Sequence, residues 1–444
     1  MFLEKEGKLI YSYDGETVCI EAWGKDALRV RATKNRSFTG RDWALEAKDA
    51  HAGEVEIFED PSAKGGAFAN MYEGTDTSYG KITNGKLHAV IDSGSVITFY
   101  HEDGRVLLKE HFRRLRDEES MPLNIMGREY SNGVGDNFRI VARFVARKGE
   151  KIFGMGQYQQ HELDLKGCML ELAQRNSQVS VPFYLSSIGY GFLWNNPGVG
   201  QVMFANNGTE WVTESGKEID YLVIAGDTPA EIEENYMTLT GKPPMMPEYG
   251  MGFWQCKLRY WNQEQLLSVA RKYKELGVPL DVIVVDFFHW TKQGEFKFDP
   301  KYWPDVPGMC RELKEMGIQV VVSVWPTVDI YSENFEEMKE KGYLVRTEHG
   351  VPLTMLCGGN EVFFDATNPD ARTYVWEKIK KNYYDQGAKL FWLDVAEPEY
   401  SVYDFKNYRY QLGSVQEVGN IYPKYYLKAF YDGMTQKAIL CQSA

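Results

Sequence analysis

Carboxylates stand directly behind runs of apolar residues at several places in this chain. Val282 to Phe287 (VIVVDF) delivers Asp286 and then Phe288, His289 and Trp290. Ile318 to Trp325 (IQVVVSVW) delivers Trp325 and, four residues on, Asp329. Lys389 to Glu399 (KLFWLDVAEPE) delivers Trp392, Asp394, Glu397 and Glu399. A carboxylate can attack an electrophilic carbon, move a proton or hold hydroxyl groups, and an indole offers a flat apolar platform with one N–H donor. Together they suit a neutral, polyhydroxylated ligand such as a sugar. One acidic residue after one apolar strand is commonly a helix cap or a solvated loop residue. Asp286 and Asp394 recurring at equivalent strand ends is harder to explain that way. For Trp290 and Trp325 burial in a core is the bland reading. His289 is read as a loop or rim residue rather than a catalyst, and Asp329 and Asp365 as rim residues.

The elements that must position these groups follow from periodicity. From Gln263 to Leu276 apolar residues fall at Leu266, Val269, Ala270 and Tyr273, one face of a helix, with Asn262 placed to cap it. Val278 to Phe287 then reads as a buried strand. The alternation repeats: helix Pro307 to Met316 closed by Gly317, strand Ile318 to Val324, helix Pro369 to Asp385 closed by Gly387, strand Lys389 to Leu393. A last helix from Pro423 to about Lys437 leads to a strand at Ala438 to Cys441, and a first strand is expected near Tyr249 to Trp254. Apolar strands alternating with capped helices predict a parallel α/β sheet, whose functional residues gather at the strands' carboxyl ends. A closed (β/α)8 TIM-type barrel needs eight strands, so five strands predict an incomplete one. A doubly wound sheet is the alternative, but no Gly-rich phosphate turn accompanies these strands.

Up to about residue 240 the texture differs. Segments such as Thr17 to Ala32 and Lys86 to Tyr100 alternate apolar and polar residues between turn signals, which predicts an antiparallel β-sandwich with almost no helix. The Pro-rich stretch Lys242 to Pro247 (KPPMMP) predicts a linker. The expected organisation is therefore a sandwich over 1–241, a linker over 242–248 and a barrel portion over 249–444.

Composition narrows the partners. The formal net charge of -13 disfavours nucleic acid and anionic membranes, both of which reward clustered Lys and Arg. No apolar run is long enough for a membrane span, and the first residues lack the apolar core of a signal peptide, so a cytoplasmic location is expected. Six cysteines without a CxxC pair predict neither a zinc site nor a disulfide framework. No cofactor and no metal are expected, and a homo-oligomer is left open.

Several motifs in order resemble glycoside hydrolase family 31. Phe391 to Tyr400 (FWLDVAEPEY) is similar to its W-x-D-x-x-E nucleophile strand, matched by Trp392, Asp394 and Glu397. Tyr249 to Gln255 (YGMGFWQ), Val284 to Pro300 (VVDFFHWTKQGEFKFDP), Trp303 to Gly308 (WPDVPG), Val324 to Pro326 (VWP) and Phe363 to Pro369 (FFDATNP) continue the match. Phe153 to Gln157 and Pro182 to Gly191 extend it into the first half. The resemblance implies a galactose-mutarotase-like sandwich before the barrel and retaining, exo-acting hydrolysis of a terminal α-linked sugar. Asp394 would be the nucleophile, Asp286 would hold ring hydroxyls with Trp290, Trp325 and Trp392 around them, and Glu397 would support the loop. A second carboxyl group, about 5 Å from the nucleophile in retaining enzymes, acts as acid and then base. The family's acid/base Asp follows the fifth strand, and no residue here matches it. Gln442 stands where many relatives have Arg. The resemblance therefore implies either a truncated enzyme or an inactive carbohydrate-binding protein or fragment. The DFFHW and VAEPE loops favour an α-xyloside over an α-glucoside.

Overall fold

The computed structural model describes residues 1–46, 49–59, 78–115, 123–348, 360–398 and 404–442. The chain divides into two compact units, Met1–Ala173 with Ser177–Pro243, and Gln174–Asn176 with Pro244–Ala444. Residues 241–247 at that division are exposed and have no regular structure.

The first unit is β-rich and antiparallel, with sheets of nine, five and five strands and a two-stranded ribbon. Strands Glu16–Trp23, Ala27–Thr33, Tyr190–Trp194 and Ile219–Ala225 form the centre of the largest sheet. One face of that sheet shares a core with Ile82, Phe99, Ile140, Phe144 and Trp211 from the other two sheets. Leu193, Leu222 and Ile224 on its other face pack against Ile232 and Leu239 of the helix Pro229–Thr240. That helix corrects the expectation of an almost helix-free region. Its signal was local: the Thr228 hydroxyl accepts from the Glu231 amide at 3.2 Å, and Pro229 occupies the first turn, where a missing N–H costs nothing.

The second unit is built around a parallel sheet of β1 (Trp254–Gln255), β2 (Val282–Val285), β3 (Gln319–Val324) and β4 (Leu390–Leu393), in that order. Helices α1 (Gln263–Glu275), α2 (Val306–Glu315) and α3 (Pro369–Ile379) supply the crossovers, and α4 (Tyr422–Gln442) follows. Each crossover helix starts on a side-chain cap: Asn262 accepts from the Gln265 amide at 2.9 Å, Asp305 from Gly308 at 2.8 Å and Asn368 from Asp370 at 2.9 Å. Gly277, Gly317 and Gly387 follow the three crossovers at φ 65°, 75° and 109°, backbone that a Cβ would oppose, and turn the chain into the next strand.

Two expectations fail here. The first strand is only Trp254–Gln255, because Glu248–Met251 forms a 3-10 turn at the two glycines Gly250 and Gly252. The strand anticipated at Ala438 to Cys441 is helix: α4 runs on to Gln442. After Gly433 no Gly or Pro interrupts it, and extending an existing helix needs no new nucleus, whereas a strand needs a neighbour to pair with. Among the described residues the parallel sheet is open and has four strands.

Beyond β3, Thr327–Asp329 pairs with Glu361–Phe363, which fixes the segment leading away from Trp325. Glu361 is 4% exposed and sits in register with Asp329. Burial, with Asp329 adding to it, pushes the Glu361 carboxyl up to about 7. In the unfolded chain this group ionises near 4.5, so the folded state binds more protons between the two values. Its contribution to stability is complete below pH 4.5 and is lost as pH rises through about 7. Glu361→Gln is therefore expected to raise the urea-unfolding free energy at pH 8 by about 1–2 kcal/mol relative to wild type, with little change at pH 4. An equal effect at both pH values would contradict this.

Candidate active site

Asp286, Trp325 and Asp394 follow the last residues of β2, β3 and β4. Side chains alternate across a strand, so Val284 shares a face with Asp286, Val321 and Ser323 with Trp325, and Leu390 and Trp392 with Asp394. The register pairs Val284 with Val321, Val321 with Leu390, and Ser323 with Trp392, which aligns the three rows. Val282, Val284 and Val321 are buried on that face beneath the polar ends. The Asp394 amide donates to the Val324 carbonyl at 3.0 Å, carrying the ladder one residue further.

The two aspartates are held in the same way. Asp394 Oδ1 accepts from the Val395 amide at 3.0 Å, and Asp286 Oδ1 from the Phe287 amide at 2.8 Å. Each second oxygen meets a different donor: Asp394 Oδ2 accepts from Trp325 Nε1 at 3.0 Å, whereas Asp286 Oδ2 faces the Cys256 thiol at 3.6 Å. Two lone pairs on each carboxylate oxygen leave capacity for a ligand. Both turns carry backbone strain, with Val395 at φ 55° and Phe288 at φ 65°. A β-branched residue in that region is an outlier costing about 1–3 kcal/mol, of the kind found where a site fixes its geometry.

Aromatic rings surround the carboxylates. The Trp325 ring lies 4.9 Å from Phe287 and 6.1 Å, edge on, from Trp290. Trp325 and Trp290 are both half-buried, as pocket walls would be. Trp392 is 52% exposed on the same face as Asp394, so it remains available for stacking. Glu397 lies three residues past Asp394 and is half-buried; Glu399 falls outside the described residues.

Two residues are more buried than expected. His289 lies in the loop after β2, as expected, but is 3% exposed and so buried rather than at a rim. Its Nδ1 lies 3.0 Å from the Asp286 carbonyl and its Nε2 2.9 Å from the Tyr383 hydroxyl. Asp365 is also buried, accepting from Thr367 Oγ1 at 2.6 Å, the Thr367 amide at 2.9 Å and the Gln411 amide at 2.6 Å. It organises the turn before α3 instead of facing a ligand. Asp329, expected at the rim, is half-buried and accepts from the Tyr331 amide at 2.7 Å.

Sequence reasoning missed Cys256 and Tyr383. Cys256 directly follows β1, so the same strand-end rule that found Asp286 points to it. Tyr383 lies in the π-helical turn Lys380–Tyr384, where no periodicity marks it. Among the described residues no group of three His, Cys, Asp or Glu side chains is arranged to hold a metal ion. No helix among them is long and apolar enough to cross a membrane.

Residues 243–441 match the TIM-barrel domain of the glycosyl hydrolases family 31. The chain is 45% identical to the uncharacterized family 31 glucosidase ORF2 of Pseudescherichia vulneris, over 97% of this chain and 80% of that protein. It is 30% identical to α-xylosidase A of Aspergillus niger, over 94% of this chain and 59% of that enzyme. The solved structure of a family 31 α-xylosidase from a soil metagenome, complexed with xylose, superposes with a TM-score of 0.90 at 50% identity, covering 98% of this chain and 64% of that one. This chain thus spans less than two thirds of the length of both xylosidases. An antiparallel β-rich unit, a TIM-barrel domain ending its strands in Asp286, Trp325 and Asp394, and a 45% identical relative covered over 80% of its length together show that the chain belongs to glycosyl hydrolase family 31.

Proposed function

We propose that this polypeptide carries the sugar subsite and the nucleophile of a retaining, exo-acting α-glycosidase, with α-xylosides favoured and α-glucosides second. The observation that carries the reading is Asp394 at the carboxyl end of β4, clamped by the Val395 amide and the Trp325 indole and sharing a strand face with Asp286. The preference for xylosides rests on the two loop sequences and on the α-xylosidases among the relatives.

In the first step the Asp394 carboxylate attacks the anomeric carbon while the bond from that carbon to the aglycone oxygen breaks, leaving a glycosyl ester. A second carboxyl group, to which no residue of this chain is matched, gives its proton to the departing oxygen. It then takes a proton from water, which attacks the anomeric carbon and releases Asp394. The Trp325 N–H fixes the plane of the nucleophile before reaction, so orientation is not lost from the barrier at the moment of attack. Asp286 accepts hydroxyl protons of the ring in charge-assisted hydrogen bonds, Trp290, Trp325 and Trp392 cover its apolar faces, and Glu397 supports the loop after the nucleophile.

Hydrolysis of p-nitrophenyl α-xyloside and α-glucoside by this chain tests the reading. Asp394→Asn is expected to lower kcat by at least about 10³-fold with xylose binding retained. Asp286→Ala is expected to weaken xylose binding about ten- to a hundredfold, the worth of a charged hydrogen bond. Xylose binding without turnover in the wild type would replace hydrolysis by a binding role. Neither turnover nor binding would overturn both.

A further inference from the structure

His289 is a buried imidazole that no step above uses. The Asp286 carbonyl can only accept, so the proton of the neutral ring lies on Nδ1, and Nε2 accepts from the Tyr383 hydroxyl. Burial drives the imidazole down to about 4, which keeps it neutral across the ordinary working range. Phe298 and Trp290 pack on the ring with centroids at 4.8 Å, and Tyr383, itself 1% exposed, holds its far edge. The Nδ1 bond closes the turn through Phe287 and Phe288, the turn in which Phe288 is held at φ 65°. Strained backbone of this kind persists only where surrounding contacts over-determine it.

We infer that His289 is a positioning residue for Asp286: its Nδ1–H, anchored from behind by Tyr383, closes the strained turn and sets where the Asp286 carboxylate points. This rests on Asp286 being a sugar ligand only for its functional consequence. The positioning itself has a separate reporter, because the exposed Cys256 thiol faces Asp286 Oδ2 at 3.6 Å. Partial burial, and then the Asp286 carboxylate, push that thiol up to about 11. Displacing the carboxylate removes the second of these causes and raises the thiolate fraction.

Two amide substitutions separate positioning from space filling. His289→Asn places an N–H where Nδ1 was, while His289→Gln places its amide near Nε2 and leaves the Asp286 carbonyl without its donor. Peptide-resolved alkylation of Cys256 by iodoacetamide at pH 8 is expected to quicken about tenfold in His289→Gln, as for a thiol lowered by one unit, and to stay within about threefold of wild type in His289→Asn. Gln is closer to His in volume, so simple space filling predicts the reverse order, and equal or reversed rates would overturn the inference. If these variants do not fold, the ¹⁵N shifts of the wild-type imidazole decide: a proton on Nδ1 supports the assignment, and one on Nε2 overturns it. Calorimetry with xylose on Asp286→Ala tests the ligand role separately. Unchanged xylose binding there, with the alkylation order intact, would reject Asp286 as a sugar ligand while leaving His289 as its positioning residue.

Discussion

The hydrogen bond from the Asp394 amide to the Val324 carbonyl, 3.0 Å long, continues the β3–β4 ladder past its last paired residues, and the geometry of the rim depends on it. It brings Asp394 beside Trp325, whose indole then reaches the carboxylate. The same carbonyl accepts the Tyr426 hydroxyl at 2.9 Å, so α4 is tied to the point where the ladder ends. Tyr422, Tyr426, Ala429 and Phe430 form the buried stripe of α4, and Phe430 packs on Phe391 of β4 at 5.3 Å. Slipping β4 by one residue would send Asp394 to the helix side and put Leu393 at the rim. The cost of burying a carboxylate among those aromatic rings fixes the register.

On this scaffold the two aspartates share a local design and differ in what backs them. Each accepts from the amide of the following residue, which sets the carboxylate at the top of its strand. Asp394 has a rigid neutral donor from a neighbouring strand, suited to a group that must hold one orientation while its charge is consumed. Asp286 has a weak thiol donor at the front and a neutral imidazole on its carbonyl, leaving both oxygens available to hydroxyl groups. These differences support the proposed division into nucleophile and binding group without requiring different strand ends.

Much of this was legible in the sequence because it depends on short-range rules. The cap at Asn262, the glycines at 317 and 387 and the β-branched runs of β2 and β3 act locally, so the crossover units could be read to within a few residues. Asp286 and Asp394 were found because a parallel sheet makes strand ends coincide. What escaped reading was set by contacts distant in sequence. Whether His289 lies at a rim or in a core is decided by Tyr383, 94 residues on, and Asp365 is drawn inward by Gln411, 46 residues on. The helical course of 438–441 was misread because Ala-Ile-Leu-Cys fits a buried strand and a buried helix equally until its neighbours are known. The helix Pro229–Thr240 was missed because its buried positions are few, though its cap was in plain view.

The central claim is that Asp394 forms the covalent bond to sugar. A 5-fluoro-α-xylosyl fluoride tests it directly: fluoride leaves without needing a proton, so the first step proceeds whichever group serves as acid, and the ring fluorine slows hydrolysis of the ester. The account predicts that peptide mass spectrometry finds one fluoroxylosyl group, with fluoride released, on the peptide containing Asp394, and none in Asp394→Asn. A label on another carboxylate, or no label under conditions where xylose binds, would contradict it.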